Sequence, residues 1–291
     1  MVDSMRSMLF VPGDRPERFA KAVASGADAV ILDLEDAVAP AQRPQAREAI
    51  AAFLATELRQ APLWVRINPV QSGEALADLA AVVAGRPDGI ILPKARGGAD
   101  VLQLDHWLQA LEAARGLAAG GIRVMPMVTE TAMALLHMAS FVPSPARVQA
   151  LTWGAEDLAT ELGAGGNRDA NGEYESPYRL ASSLCLYAAA AAGVAAIDTV
   201  DTEIRDLEAV ERRARASRRA GYVGKLAIHP TQIAALHAAF TPSEAEVVQA
   251  ERVLAAFAQS PATGAFMVDG KLVDRPHLLQ AERVLAAARR R

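Results

Sequence analysis

Two acidic residues, Glu130 and Asp157, are read as closing the strands that the apolar runs 123–128 and 148–153 predict. A carboxylate that follows an apolar strand is costly to desolvate unless it is ion-paired, hydrogen-bonded or bound to a metal. If the two runs are neighbouring strands, both acids project into one mouth and can hold a hard divalent cation. Magnesium keeps several waters, takes one or two protein carboxylates and completes its shell with substrate oxygens, whereas zinc calls for histidine or cysteine. Manganese would suit the same donors. The competing reading is a structural ion pair with Arg66 or Lys94, and spacing alone leaves the two open.

The other polar residues at the ends of apolar runs form a set around this pair. Arg66 is the candidate for gripping a substrate carboxylate, because a guanidinium fork offers two parallel hydrogen bonds to a planar anion. Its alternative is pairing with the acidic cluster Asp33, Glu35 and Asp36. Three carboxylates there are too many for one metal, so the cluster is expected to anchor waters, Arg66 and Lys94. Arg66, Glu130 and Lys94 are the candidates to face substrate. A seventh run ends near Asp198 and Asp201, and an eighth at His229. A lone histidine is more often a hydrogen-bonded structural residue than a proton shuttle. Val11-Pro12-Gly13-Asp14-Arg15, with Lys21 beyond it, offers backbone donors and cations for a phosphate, although an ordinary Pro-Gly turn is the commoner case. Cys185, in an Ala-rich helical run, reads as a buried inert thiol, and Met125, Met127 and Met133 as core filling.

These residues need a scaffold that gathers strand ends. Apolar runs at 8–11, 29–33, 64–67, 89–92, 123–128, 148–153, 196–200 and 223–228 alternate with helical stretches such as 16–25, 43–58, 73–84, 99–116 and 206–220. Eight strands, each followed by a helix, predict a TIM (β/α)8 barrel over residues 1–240, with its chemistry at the C-terminal ends of the strands. The loop from Gly163 to Pro177 is longer than most connections in a compact domain. Residues 241–291 predict a C-terminal helix–hairpin–helix extension. One helix runs to about Ser260, then strands at 266–268 and 271–273 flank Asp269-Gly270, whose two positions tolerate the positive φ of a type I′ turn. Asp274 follows, and a last helix starts at Pro276. A barrel does not require this part, so a lid or an oligomer contact is expected.

Composition narrows the partners. A net charge of −4 gives no footprint for nucleic acid or an anionic membrane. With 52% hydrophobic residues but no apolar run near the roughly 18 needed to span a bilayer, and no long apolar core in the opening residues, a cytoplasmic protein is expected. The single cysteine excludes an internal disulfide framework and fits a reducing compartment.

With these residues in view, the chain resembles the citrate lyase β-subunit-like proteins of the HpcH/HpaI aldolase/citrate lyase superfamily. The resemblance rests on Arg6-Ser7-Met8-Leu9-Phe10-Val11-Pro12-Gly13, Asp33-Leu34-Glu35-Asp36-Ala37-Val38, Val65-Arg66-Ile67-Asn68 and Leu92-Pro93-Lys94. It continues through Thr129-Glu130-Thr131, Gly154-Ala155-Glu156-Asp157-Leu158, and Gly221-Tyr222-Val223-Gly224-Lys225 with Ile228-His229-Pro230. Seven matches in order span nearly the whole chain. The resemblance implies a barrel enzyme that cleaves or forms C–C bonds of acyl-CoA thioesters, with magnesium at Glu130 and Asp157 and a substrate carboxylate on Arg66. It further implies that Phe10, Pro12, Gly13 and Lys21 receive the CoA portion and that Ile228 and His229 border it. Where relatives place a lysine early in the first helix this chain has Glu17-Arg18, so Arg18 stands in for it. Asp274 occupies the place of a catalytic aspartate, often delivered into a neighbouring subunit, and a homotrimer or hexamer is implied.

The expected reaction is cleavage, or formation, of a 3-hydroxyacyl-CoA such as malyl-CoA or citramalyl-CoA, giving acetyl-CoA and a 2-oxo acid, with Asp274 moving the α-proton. The alternatives are a citryl-acyl-carrier-protein lyase subunit with a carrier protein as partner, a class II aldolase on free 2-oxo acids, and a barrel that binds a CoA ester as sensor or scaffold without turnover.

Overall fold

Every expected strand forms. In the computed structural model, which describes residues 5–56, 60–259 and 265–289 (Phe266 by its backbone alone), they are β1 Ser7–Pro12, β2 Ala29–Asp33, β3 Leu63–Arg66, β4 Gly89–Leu92, β5 Arg123–Pro126, β6 Ala150–Thr152, β7 Ala195–Asp198 and β8 Gly224–Ala227. They pair in parallel in the order β5-β4-β3-β2-β1-β8-β7-β6. The two outer strands meet through the parallel bridges Val124↔Val148 and Met127↔Thr152 and the bond from Val128 N–H to Thr152 O at 2.9 Å, so the sheet closes into a barrel.

Period-2 alternation fills the inside. Met8, Ala29, Ile31, Trp64, Ile91, Met125, Met127, Ala150, Ala195, Ile197 and Leu226 form one buried cluster in the barrel, with Phe10 packed against it. Gly89 makes room for the largest of them: a Cβ there would lie 2.3 Å from Cζ3 of Trp64. Helices surround the strands: α1 Phe19–Val23, α2 Arg43–Leu54, α3 Ala75–Val82, α4 Gly98–Ala114, α5 Ala132–Leu136, α6 Ala155–Glu161, α7 Ser176–Ala192 and α8 Leu207–Ala220. Their ends follow local chemistry. Thr131 Oγ1 accepts from Ala134 N–H at 3.1 Å to cap α5, Asp206 does the same for α8 through Ala209 N–H, and α7 ends on left-handed Gly193.

Several expectations change in detail. α2 stops at Leu54, short of the expected 58, and 57–59 lie outside the described residues. The stretch 16–25 is a 3-10 turn, Pro16–Arg18, followed by the five-residue α1. Met125 and Met127 are buried as expected, but Met133 is 46% exposed, because it lies on the outer side of the short helix α5.

The chain divides into two units, Met1–Leu236 and His237–Arg291, with the division inside α9 Gln232–Phe240. The second unit has its own small core, in which Ala250, Val253, Val268, Val273 and Ala281 come together from α10 Glu244–Gln259, the hairpin β9 Ala265–Val268 and β10 Lys271–Asp274, and α11 Arg275–Ala288. The turn residues Asp269 and Gly270 have φ of 48° and 75°, as a type I′ hairpin requires. Ser260, the expected end of α10, lies outside the described residues. No helix among the described residues is long and apolar enough to cross a membrane.

Candidate active site

The alternation that buries Ala29, Ile31 and Trp64 continues two residues further, and so turns Asp33 and Arg66 inward at the C-terminal mouth. They are paired in register on β2 and β3, and their contact is bidentate. Arg66 Nε donates to Asp33 Oδ1 at 2.7 Å and Nη2 to Oδ2 at 2.6 Å. Nη1 lies 3.1 Å from Glu35 Oε2, and the guanidinium carbon sits 4.7 Å from the centre of the Phe10 ring. The Nε–Nη2 edge is therefore taken by Asp33 and Nη1 already faces Glu35, so an incoming carboxylate shares the guanidinium with these two acids.

Lys94 holds the cluster from the other side. Its Nζ donates to Glu35 Oε1, lies 2.8 Å from Asp36 Oδ2 and reaches Asp157 Oδ1 at 3.0 Å. Its own backbone is left-handed, with φ of 49°, and its N–H donates to Glu130 Oε2 at 2.5 Å. Asp33, Glu35 and Asp36 thus anchor Arg66 and Lys94.

Neither Glu130 nor Asp157 closes a strand, which corrects the sequence expectation. β5 ends at Pro126 and β6 at Thr152, so Glu130 lies in the following loop and Asp157 in the first turn of α6. The bridge from Met127 to Thr152 keeps the two segments side by side, and Lys94 touches both acids. Burial, then the charges of Asp157 and Glu35, push the Glu130 carboxyl well above the usual range. Burial also pushes Glu35 up to about 7, against the opposing pull of Arg66 and Lys94. Asp36 goes the other way: burial opposes it, but the hydrogen bond and charge of Lys94 hold its carboxyl low.

Five carboxylates, Asp33, Glu35, Asp36, Glu130 and Asp157, here face only two cations. Glu130 Oε1 is buried and has no hydrogen-bond partner. Such an oxygen beside a second carboxylate fits a hard divalent cation, and the donor set contains neither histidine nor cysteine. Among the described residues no three His, Cys, Asp or Glu side chains are placed to share one metal ion, so water and substrate oxygens would complete a shell begun by Glu130 and Asp157.

The remaining nominated residues divide. β1 and β8 are parallel neighbours, so the loop that follows β1 opens at the same end of the barrel as Ile228 and His229. Ile228 is 41% exposed, and Arg18, Lys21 and His229 are exposed. His229 Nδ1 is 2.8 Å from Thr231 Oγ1. The expected row of backbone donors for a phosphate is not what the loop offers. Gly13 N–H donates to Asp33 O on β2 at 2.8 Å and Arg15 N–H to Pro12 O within the turn at 3.1 Å, and Pro12 has no N–H to give. The cations Arg15, Arg18 and Lys21 remain. Asp198 does not face the mouth: it is one residue out of phase with Ile197, and pairs outside the barrel with Lys225 Nζ at 2.6 Å and Trp153 Nε1 at 2.7 Å. Asp201 is bound by Arg213. Cys185 is fully buried and burial pushes its thiol pKa up, as an inert thiol requires. Asp274, in the second unit, caps α11 and pairs with His277 Nδ1 at 2.6 Å.

Residues 6–230 match the HpcH/HpaI aldolase/citrate lyase family. The chain belongs to this family. It is 39% identical to a citrate lyase subunit beta-like protein from Mycobacterium tuberculosis, over 96% of this chain and 94% of that one. It is 34% identical to the L-malyl-CoA/beta-methylmalyl-CoA lyase of Cereibacter sphaeroides, over 97% and 94%. Among solved structures it is similar to protein CitE from M. tuberculosis in complex with magnesium, acetoacetate and coenzyme A, with a TM-score of 0.82, 37% identity and 97% of both chains covered. The family match ends before α10, and these pairwise likenesses extend past it through nearly the whole chain.

Two residues that matter to the mouth have no role readable from sequence. Asn68, fully buried, ties β3 to α3 by donating to Leu34 O and Asp78 Oδ2, both at 2.9 Å. Gly154 lies against the Glu130 side chain. Both stood inside the family motifs, so the signal was present, but spacing alone cannot say what a glycine or an asparagine touches.

Proposed function

We propose that this protein is a magnesium-dependent carbon–carbon lyase that cleaves, or forms, a 3-hydroxyacyl-CoA of the malyl-CoA or citramalyl-CoA type, yielding acetyl-CoA and a 2-oxo acid. The observation that carries the reading is the buried, unpartnered Glu130 Oε1 beside Asp157, within a mouth that also holds the Arg66 guanidinium. Its support is the likeness to a malyl-CoA lyase and to a structure containing magnesium, acetoacetate and coenzyme A. Glu130 and Asp157 would hold the cation; manganese suits the same oxygens. When bound, it supplies Lewis-acid polarisation of the 2-oxo or 2-hydroxy oxygen.

The chain's own residues do the rest. Arg66 fixes the substrate carboxylate, with Asp33 and Glu35 holding the guanidinium in place. Lys94 balances Glu35, Asp36 and Asp157 and faces substrate with Glu130. Phe10, Pro12, Gly13, Arg18, Lys21, Ile228 and His229 border the CoA portion, the exposed cations serving its phosphates. Asp274 on the hairpin moves the α-proton of the thioester, a role resting on its place in the sequence and the family resemblance. Residues 241–291 serve as lid or subunit contact in a homotrimer or hexamer in the cytoplasm.

The test is cleavage of malyl-CoA and citramalyl-CoA, followed by release of acetyl-CoA, with and without EDTA. Turnover that EDTA abolishes and magnesium restores is expected; no cleavage of any thioester would leave a binding barrel. Asp274→Asn should abolish turnover and keep cation affinity, and wild-type rates in that variant would remove Asp274 from the mechanism. A second reading, a citryl-acyl-carrier-protein lyase subunit, draws on the citrate lyase subunit beta-like relative, and copurification of a carrier protein would favour it.

A further inference from the structure

Gly154 stands at the turn from β6 into α6 with φ of −126° and ψ of 119°. That is ordinary extended backbone, open to any L-residue, so the conformation does not call for a glycine. The surroundings do. A Cβ at this position would lie 2.6 Å from Glu130 Cγ, 2.8 Å from Glu130 Oε1 and 3.1 Å from Glu130 Cδ, and all three nearest atoms belong to that one side chain. Contacts this short cannot be tolerated, and the side chain is the part free to move.

The other carboxylate oxygen is held from the opposite direction. Lys94 donates its N–H to Glu130 Oε2 at 2.5 Å from a left-handed backbone, a conformation unfavourable for a non-glycine residue. Two uncommon local choices therefore converge on one carboxylate. A lysine is bent to hold Oε2, and a side chain is omitted where Oε1 lies. Gly154 itself is pinned, since its N–H donates to Thr129 Oγ1 at 3.2 Å, one residue before Glu130.

We infer that Gly154 is a positioning residue for Glu130: the space left by its missing side chain lets the carboxylate sit with Oε2 on Lys94 and Oε1 free to meet a cation. The inference rests on the reading of Glu130 as a cation ligand. A methyl group at 154 displaces the carboxylate, breaks the Lys94 bond and withdraws Oε1, although no ligand has been removed and the backbone is unstrained.

The experiment is a titration of the full-length protein with Mn2+ alone, read by electron paramagnetic resonance and by calorimetry, together with circular dichroism melting. The variants are Gly154→Ala, Gly154→Ser and Glu130→Gln. Both Gly154 variants are expected to stay folded, with at most a modest fall in melting temperature, and to bind Mn2+ about tenfold or more weakly, the usual size for loss of a ligand's support. Glu130→Gln weakens binding as well. Wild-type affinity in both Gly154 variants, with binding lost in Glu130→Gln, overturns the inference and leaves the ligand reading standing. Wild-type affinity in Glu130→Gln overturns the ligand reading itself. A large fall in melting temperature in both Gly154 variants also overturns the inference, because the added carbon would then be absorbed by the backbone rather than by Glu130.

Discussion

Replacing Glu35 by glutamine probes the charge balance of the mouth. The Glu35 side chain is 3% exposed, and its carboxyl is pushed by burial from the ordinary 4.5 up to about 7. An acid whose pKa is raised on folding binds its proton more tightly in the folded state. Its contribution to stability is therefore fully present below pH 4.5 and is lost as the pH climbs through 7. The interval corresponds to roughly 3 kcal/mol, most of it between pH 5 and 8. Glutamine keeps the shape and cannot ionise. Arg66 retains Asp33, and Lys94 retains Asp36 and Asp157, so neither cation is stranded. Urea unfolding of wild type and Glu35→Gln in EDTA, at steps from pH 5 to 8, should show the variant gaining on the wild type by about 2 to 3 kcal/mol across that range. Parallel stability profiles, or a variant that falls behind as pH rises, would refute the argument that burial outweighs the two cations at Glu35.

Three further outcomes follow from packing and pairing. Lys225→Met takes the cation from Asp198, which is only 3% exposed and keeps just neutral donors such as Trp153, and should cost about 3 kcal/mol in urea unfolding; the double variant with Asp198→Asn should recover part of it. Gly89→Ala places a Cβ 2.3 Å from the Trp64 ring and should destabilise by about 1 to 3 kcal/mol with a shift in tryptophan emission; an unchanged spectrum and midpoint would show the barrel can absorb it. Arg66→Lys cannot reproduce the two-pronged contact with Asp33, so the KM for the 2-oxo acid in the condensation direction should rise about tenfold or more while Mn2+ affinity stays put. An unchanged KM would remove Arg66 from carboxylate binding.

Much of the mouth was legible because a barrel converts sequence periodicity into position. Runs of alternating and apolar residues marked the strands, and parity then carries Asp33 and Arg66 inward from Ile31 and Trp64. The same rule would have set Asp198 apart, since it is out of phase with Ile197, but the acid's nearness to a strand end masked it. Backbone donors in the first loop were overcounted for a related reason. A Pro-Gly turn shows which N–H groups exist, and only the fold shows that Gly13 gives its own to Asp33.

The sequence by itself determined the strand and helix order, the hairpin at Asp269-Gly270, the family, and the residue types that could hold a cation and a carboxylate. These depend on local propensity and on motifs in order, which a linear chain carries. Only the tertiary structure decided that Glu130 and Asp157 come together from a loop and a helix start, that Lys94 grips Glu35, Asp36 and Asp157 at once, and that Gly154 leaves room for one carboxylate oxygen. Those outcomes turn on which atoms approach within a few ångströms after the barrel closes, and residues 60 positions apart acquire that distance only through the fold.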